Sequence, residues 1–268
     1  MNIPSITEQE FIQFQRFIYD EAGINLSSGK KALVCGRLTK RLQHWQIQSY
    51  GEYFKLLAGG TAPEEVQTAI DLLTTNETYF FREQKHFDFL REQAKAARKG
   101  RTPFRVWSAA SSTGEEAYSI AMVLADCLAD GQWEVIGSDI SLRVLQRASF
   151  GHYPVERTKN IPQSYLERFC LKGVREQQDT LLIERSLRRR VQFLQINLNA
   201  ALPKMAAYDV IFLRNVMIYF NADTKRQVVG RVLSLLKPGG HFFIGHSESL
   251  NGITDAVEPL FPSIYRKA

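Results

Sequence analysis

The chain has 268 residues, 44% of them hydrophobic and 23% charged, the balance of an ordinary soluble globular protein and enough to bury a core without staples. No apolar run approaches the roughly 20 residues that span a bilayer, and the opening MNIPSITEQEF lacks a basic region followed by an apolar stretch, so neither membrane insertion nor secretion is expected and the expected location is cytoplasmic. A net charge of +6 points to an acidic partner without choosing between nucleic acid, anionic lipid and a carboxylate-rich protein surface, while three scattered cysteines, Cys35, Cys127 and Cys170, argue against a disulfide framework or a thiolate zinc site.

The first seventy residues read as helices. Thr7 followed by Glu10 is a capping box, Phe11, Phe14, Phe17 and Ile18 share one helical face, and Gly23 is a natural stop. A second helix is expected from about Lys30 to Gln43, with Leu33, Val34, Leu38 and Leu42 interleaved among Lys30, Lys31, Arg37, Lys40 and Arg41. Short helices follow around Tyr50 to Leu57 and Pro63 to Leu73, separated by Gly59-Gly60. After about Arg101 the texture changes to strands alternating with helices: strands Phe104 to Ser108, Trp133 to Ser138, Val191 to Ile196, Asp209 to Leu213, His241 to Gly245 and Ser263 to Arg266, with helices Glu115 to Leu128, Ser141 to Ser149 and about Asp223 to Leu236. Lys237-Pro238-Gly239-Gly240 reads as a turn. Such alternation implies a mostly parallel sheet covered on both faces. Between Gly151 and Arg190 the rhythm breaks, and a helix from about Gln163 to Cys170, a polar turn from Gly173 to Thr180 and the alternating Leu181 to Arg185 suggest a small inserted unit.

Ligands of open parallel sheets bind at the carboxyl ends of the strands, so the residues following each strand are the candidates. The first strand is followed by Ser108-Ala109-Ala110-Ser111-Ser112-Thr113-Gly114-Glu115-Glu116, rich in small residues but neither G-x-G-x-x-G nor a P-loop. Carboxylates in a first helical turn repel phosphate and attract ammonium; that Glu115 and Glu116 merely cap the helix is the lesser alternative. Asp139 ends the second strand, where a carboxylate accepts from both hydroxyls of a ribose; an N-cap for the next helix is the alternative. Taken together, the two readings fit a nucleoside bearing a zwitterionic amino acid and no phosphate, such as S-adenosylmethionine.

Five segments then carry a family resemblance: Thr75-Asn76-Glu77-Thr78-Tyr79-Phe80-Phe81-Arg82-Glu83, Val106 through Ser119, Ser138-Asp139-Ile140, Arg214-Asn215-Val216-Met217-Ile218-Tyr219-Phe220, and Gly245-His246-Ser247-Glu248. In order and over essentially the whole chain, they resemble the chemotaxis receptor methyltransferase (CheR) family. The resemblance implies an all-helical N-terminal domain (residues 1–75, receptor-facing) and a doubly wound, Rossmann-like α/β methyltransferase domain (76–268), whose last strand is antiparallel. A small antiparallel β-subdomain is inserted at about 152–190. It implies transfer of a methyl group from S-adenosylmethionine to glutamate carboxylates of receptors, giving glutamate methyl esters and S-adenosylhomocysteine in sensory adaptation. The family's cofactor residues match Asn76, Thr78, Arg82, Glu116, Asp139, Asn197, Leu198, Arg214 and Asn215, and Arg82 with Tyr219 is implied to position the substrate carboxylate. Ala117 stands where proline is frequent, and alanine is an equally good helix former there.

Glutamate, with a reference pKa near 4.3, is already ionised at neutral pH, so no strong general base is expected and positioning should dominate. The resemblance places Arg37, Lys40 and Arg41 against the acidic methylation region of a receptor, where such charges set encounter rate and orientation; a solvated face of an amphipathic helix is the plainer alternative. It also allows for a tether peptide at the receptor's C-terminus, bound to the inserted subdomain beside Arg188-Arg189-Arg190 as an added strand, although the turn VREQQD lacks the Gly-Pro character associated with the peptide-binding form. A regulatory adaptor, recruitment to membrane receptors and a monomeric state complete the expectations. The five histidines, His44, His86, His152, His241 and His246, make no metal-ligand spacing, and no metal is expected. Two other readings remain: a nucleic-acid methyltransferase, for which an Asn-Pro-Pro-Tyr motif and a suitably placed cysteine are missing, and a non-catalytic cofactor-binding signalling adaptor, against which Arg82 and Tyr219 speak.

Overall fold

The computed structural model describes residues 5–98, 100, 102–128 and 131–268. The first four residues of the N-terminal reading, and Arg101 where the texture was expected to change, lie outside them. The chain divides into two compact units, one of residues 1–75 with 219–225, the other of 76–218 with 226–268.

The smaller unit is built on helices α1 (Glu8–Ala22), α2 (Lys31–His44), α3 (Tyr50–Ala58) and α4 (Pro63–Leu73). The capping box of α1 forms as the sequence requires: Thr7 Oγ1 accepts the Glu10 N–H at 3.2 Å, and Glu10 Oε2 accepts the Thr7 N–H at 2.8 Å. Gly23 closes the helix with φ 71°, a conformation that costs glycine little. The other oxygen of Glu10 accepts the Gly51 N–H at 2.7 Å, so one acidic residue fixes the start of two helices. Phe11, Phe14 and Ile18 of α1 meet Val34, Leu38 and Leu42 of α2, Tyr50 and Tyr53 of α3, and Ile70 and Leu73 of α4 in the core. Glu65, buried among them, accepts from Arg41 Nε (2.8 Å), Arg41 Nη2 (2.5 Å) and the Tyr53 hydroxyl (2.5 Å).

In the larger unit, β1 (Phe104–Ser108), β2 (Trp133–Asp139), β6 (Val191–Gln195), β7 (Tyr208–Leu213), β8 (Leu236–Ile244), β9 (Val257–Phe261) and β10 (Ile264–Lys267) form one sheet in the order β6-β2-β1-β7-β8-β10-β9. The first five of that order are parallel, and β10 runs antiparallel to both β8 and β9. Helices α5 (Gln84–Ala97), α6 (Glu115–Leu128), α7 (Leu142–Phe150) and α10 (Ala222–Ser234) accompany the strands. Between α7 and β6 lies the insertion: β3 (His152–Pro154), α8 (Gln163–Phe169), β4 (Cys170–Lys172), β5 (Thr180–Ile183) and the single turn α9 (Arg185–Arg188), its strands forming an antiparallel sheet β3-β5-β4. The order places the switch point of the doubly wound sheet between β1 and β7, and the crevice at their carboxyl ends is where this class of fold binds ligands.

Outside the insertion, where β3, β4 and α9 were not individually expected, three elements differ from the sequence reading. Helix α5 was not expected, because its first turn lacks a Ser, Thr, Asp or Asn cap; Glu83 holds the N-cap position at φ 63°, with its side chain engaged elsewhere. Strand β9 was also missed. The turn expected at Lys237-Pro238-Gly239-Gly240 is instead the beginning of β8, where the pairing with β7 shifts register between Tyr208 and Val210 and Gly239 takes φ 73°. A bulge accommodates the proline without breaking the strand.

Candidate functional site

The carboxyl ends of β1, β2, β6, β7 and β8 and the segment before α5 supply the candidate residues. Four non-glycine residues there have left-handed backbones: Phe81 (φ 54°), Glu83 (φ 63°), Ser112 (φ 49°) and Asn215 (φ 57°). Each such residue costs about 1–3 kcal/mol and persists only where its surroundings over-determine it, a pattern typical of functional sites. The surroundings are visible. Phe80 and Phe81 are buried, and the Phe81 N–H donates to Ser119 Oγ at 3.0 Å, which anchors the segment that displays Asn76, Thr78 and Arg82.

Ser112 ties two candidates together. Its N–H donates to Asp139 Oδ2 at 3.0 Å and its hydroxyl to the Asn76 carbonyl at 2.9 Å. Asp139 Oδ1 accepts the Ser141 N–H at 3.0 Å, but Ser141 itself holds the N-cap position of α7, so Asp139 is not that helix's cap; the Asp139 carbonyl accepts the Ile196 N–H at 3.0 Å, which brings Asn197 and Leu198 alongside. A carboxylate oxygen has two acceptor positions. Accepting backbone N–H groups therefore leaves Asp139 chemically able to receive a diol as well. The Leu198 carbonyl accepts from Arg231, and Asn197 Oδ1 accepts the Asn199 N–H at 2.9 Å.

Gly114 accounts for one small residue of the loop after β1. A Cβ there would lie 2.8 Å from Ala148 Cβ and 3.0 Å from the Tyr153 hydroxyl, so the protein's own packing demands the glycine. The two acids that follow have separate fates. Glu115 is completely buried, accepts the Thr113 hydroxyl at 2.6 Å and faces Arg157 Nη2 at 2.9 Å. Arg157 also donates to the Thr78 carbonyl at 3.0 Å, so Glu115 braces the Thr78 segment from within. Glu116 accepts from Ser108 Oγ (2.7 Å) and Arg214 Nη1 (2.8 Å). Burial pushes the pKa of both carboxyls up, opposed at Glu115 by Thr113 and Arg157 and at Glu116 by Arg214 and Ser108.

Arg214 is the hub. Its side chain is 1% exposed, and it joins Glu116 to Glu83 Oε2 (2.9 Å) and to the Arg82 carbonyl (2.5 Å). A buried arginine between two carboxylates fixes the loops after β1 and β7 and the start of α5 in one arrangement. Burial raises the Glu83 pKa, but Arg214 and the His246 N–H outweigh it and hold that carboxyl below its ordinary value. Arg82 itself is half-buried, donating to the Glu77 carbonyl at 3.2 Å with its guanidinium 5.5 Å from the Tyr79 ring centre. Tyr219 belongs to the smaller unit, and Arg82 to the larger.

Two residues that sequence reasoning assigned no role complete the frame. Glu83 does so through Arg214, and Glu248 through backbone. Glu248 Oε2 accepts the Asn215 N–H at 2.9 Å and the Gly245 N–H at 2.6 Å, while Oε1 accepts the Met217 N–H at 2.8 Å, pinning the left-handed Asn215. The Gly-His-Ser-Glu segment carried the only sequence signal for this residue. His86 is also buried, and burial together with Arg214 depresses its pKa to about 3.

Of the receptor-facing set, Arg41 is committed to Glu65, and Arg37 donates to the Leu73 and Thr74 carbonyls and to Thr75 Oγ1. Lys40 and Lys30 are exposed, whereas Lys31 pairs with Glu8 at 3.2 Å.

Two family models match the chain: "CheR methyltransferase, all-alpha domain" over residues 9–74 and "CheR methyltransferase, SAM binding domain" over residues 76–265. The chain is similar to the chemotaxis protein methyltransferase of Escherichia coli (strain K12), 40% identical over 250 residues that cover 92% of this chain and 86% of that protein. It is 39% identical over 265 residues to chemotaxis protein methyltransferase 2 of Pseudomonas aeruginosa, covering 98% of this chain and 94% of that one. With the chemotaxis protein methyltransferase of Borreliella burgdorferi it shares 35% identity over 274 residues, 98% of this chain and 95% of that protein.

Proposed function

The chain belongs to the CheR methyltransferase family, an S-adenosylmethionine-dependent methyltransferase, and from that premise we propose that it esterifies glutamate side chains of chemotaxis receptors. The observation that carries the reading is the acidic frame at the switch point: Asp139 and Glu116, joined through Ser112 and Arg214 to the segment 76–83, beside a loop after β1 that is neither G-x-G-x-x-G nor a P-loop. That donor set suits a phosphate-free nucleoside carrying an ammonium, and the residues therefore fit S-adenosylmethionine. When bound, it supplies a methyl group activated by a sulfonium.

The chain's own residues bind and align. Asp139 receives the ribose hydroxyls, and Glu116 with Arg214 faces the amino-acid head group. Asn76, Thr78, Arg82, Asn197, Leu198 and Asn215 complete the cofactor contacts on the strength of the family match. On the strength of the family match, Arg82 and Tyr219 are assigned to orienting the receptor carboxylate. The attacking carboxylate is ionised at neutral pH and requires no base, so alignment supplies the rate, up to roughly 7–11 kcal/mol for two well-oriented reactants.

The inserted subdomain supports a finer proposal, a tether peptide from the receptor. A cavity of about 690 Å³ lies between α7 and the three-stranded sheet, with Phe150, Leu171 and Val174 on its apolar side and Arg147, Lys172 and Arg188 supplying positive charge. It suits an extended peptide with an apolar side chain and a carboxylate. Lys40 and Lys30, together with the rest of the α2 surface, remain the proposed receptor-facing charges. Among the described residues no helix is long and apolar enough to cross a membrane; recruitment from the cytoplasm to membrane receptors, a monomeric state and a regulatory adaptor belong to this same proposal.

Incubating the purified chain with receptor-containing membranes and methyl-labelled cofactor tests it. Label enters the receptor and is released by alkali as methanol, the mark of an ester. Incorporation into RNA instead, or none into receptor, refutes the reading.

A further inference from the structure

Glu83 and His86 are separated from His246 by most of the larger unit's sequence, yet the fold brings one ligating atom of each within 4.8 Å of the others. Glu83 Oε2 is 3.4 Å from His86 Nδ1 and 3.8 Å from His246 Nε2. Bonds of about 2.0–2.2 Å in a tetrahedral arrangement separate donor atoms by about 3.4 Å. We propose that Glu83, His86 and His246 form a binding site for a late first-row divalent cation of the zinc type.

An observation independent of the clustering supports the site. His86 is fully buried, and its Nδ1 has no hydrogen-bond partner. The other ring nitrogen, Nε2, lies 2.8 Å from Ser263 Oγ. That hydroxyl also lies 2.6 Å from the Pro262 carbonyl, and with its hydrogen directed there it accepts the Nε2–H. The lone pair is then on Nδ1, beside a carboxylate oxygen. Two lone pairs facing each other in a buried place repel unless a cation lies between them. Two neutral imidazoles and a carboxylate, with remaining positions open on the side of His246, whose side chain is 51% exposed, are the donors of late first-row ions rather than of magnesium or calcium.

Outer contacts also resemble those of metal sites. Ser263 orients the His86 ring, and the His246 N–H donates to Glu83 Oε1 at 3.1 Å. Arg214, 2.9 Å from Glu83 Oε2, opposes the incoming charge. It is itself matched by Glu116 at 2.8 Å, so these three groups carry a net −1 before an ion arrives. The expected affinity is therefore moderate.

Tag-free full-length protein titrated with Co²⁺ should take up one equivalent with the visible absorption of a four- or five-coordinate site, and one equivalent of Zn²⁺ should displace it. His246→Ala, on an exposed side chain, should weaken binding at least tenfold while the metal-free melting curve stays unchanged; His152→Ala should leave binding intact. A spectrum that stays that of hexaaquo cobalt in the wild type, or equal binding by His246→Ala, overturns the site.

Discussion

Replacing Arg41 separates two roles that one sequence position was asked to fill. Glu65 is 4% exposed and accepts from the Arg41 guanidinium through both of its oxygens, with the Tyr53 hydroxyl as a further donor. Arg41→Ala leaves that carboxylate buried with neutral donors alone. Removing one partner of a buried pair costs roughly 3–5 kcal/mol, and the surviving Tyr53 bond places this case at the low end, about 3 kcal/mol. Amide hydrogen exchange over α2 measures the loss where it occurs: the best-protected amides of Lys31–His44 should exchange about 100-fold faster, since each 1.4 kcal/mol is tenfold. Lys40→Ala, on an exposed side chain of the same helix, should change exchange by under about 0.5 kcal/mol and instead raise KM for receptor in a salt-dependent way. The double variant Arg41→Met with Glu65→Met should recover most of the stability. Unchanged exchange in Arg41→Ala, together with a weakened receptor interaction, would show that Arg41 faces the receptor and that its pairing with Glu65 contributes little.

The pH dependence of the same pair has a definite sign. Burial raises the Glu65 pKa, but Arg41, Tyr53 and Trp45 together hold it below its ordinary 4.5, so its contribution is fully present above 4.5 and lost as pH falls through the lower folded-state value. α2 amides should lose protection below pH 4.5 in the wild type, with Glu65→Gln showing no such step. Asp139→Asn should weaken S-adenosylhomocysteine binding by about 10- to 100-fold in calorimetry, the loss of one charged hydrogen bond worth roughly 1.5–3 kcal/mol; a change under threefold removes Asp139 from the ribose. Glu248→Ala takes acceptors from three backbone N–H groups around Asn215 and should lower both melting temperature and cofactor affinity, whereas a fall in neither contradicts its bracing role. Arg82→Ala and Tyr219→Phe should each cut kcat far more than they alter cofactor affinity, and intact turnover in both refutes their assignment.

Local signals were legible because their partners are close in sequence. Thr7 and Glu10, Gly23, Pro63 and the apolar runs of β1, β2 and β7 each specify an element within a few residues, and the structure follows them closely. Helix α5 escaped because the residue that starts it spends its side chain on Arg214, 131 positions away, rather than on its own first turn. The site shows the same division. Strand ends pointed to Asp139, Glu116, Arg214 and Asn215, whereas Glu83, Ser112 and Glu248 work through backbone groups and distant side chains that no spacing rule connects. The histidine pattern likewise gave no sign that His86 and His246 meet across Glu83.

The insertion leaves the methyltransferase unit and returns to it through a narrow neck. Gly151 takes φ 62°, where a side chain is strained, and a Cβ there would crowd Arg188 Cδ at 2.7 Å; its carbonyl accepts the Ile183 N–H at 2.8 Å, and Arg188 donates back to the Ile183 and Phe150 carbonyls. An excursion clasped at its base in this way behaves as a cassette. Changes in its length or its turn end at that clasp, so the larger sheet keeps its register whatever the cassette carries.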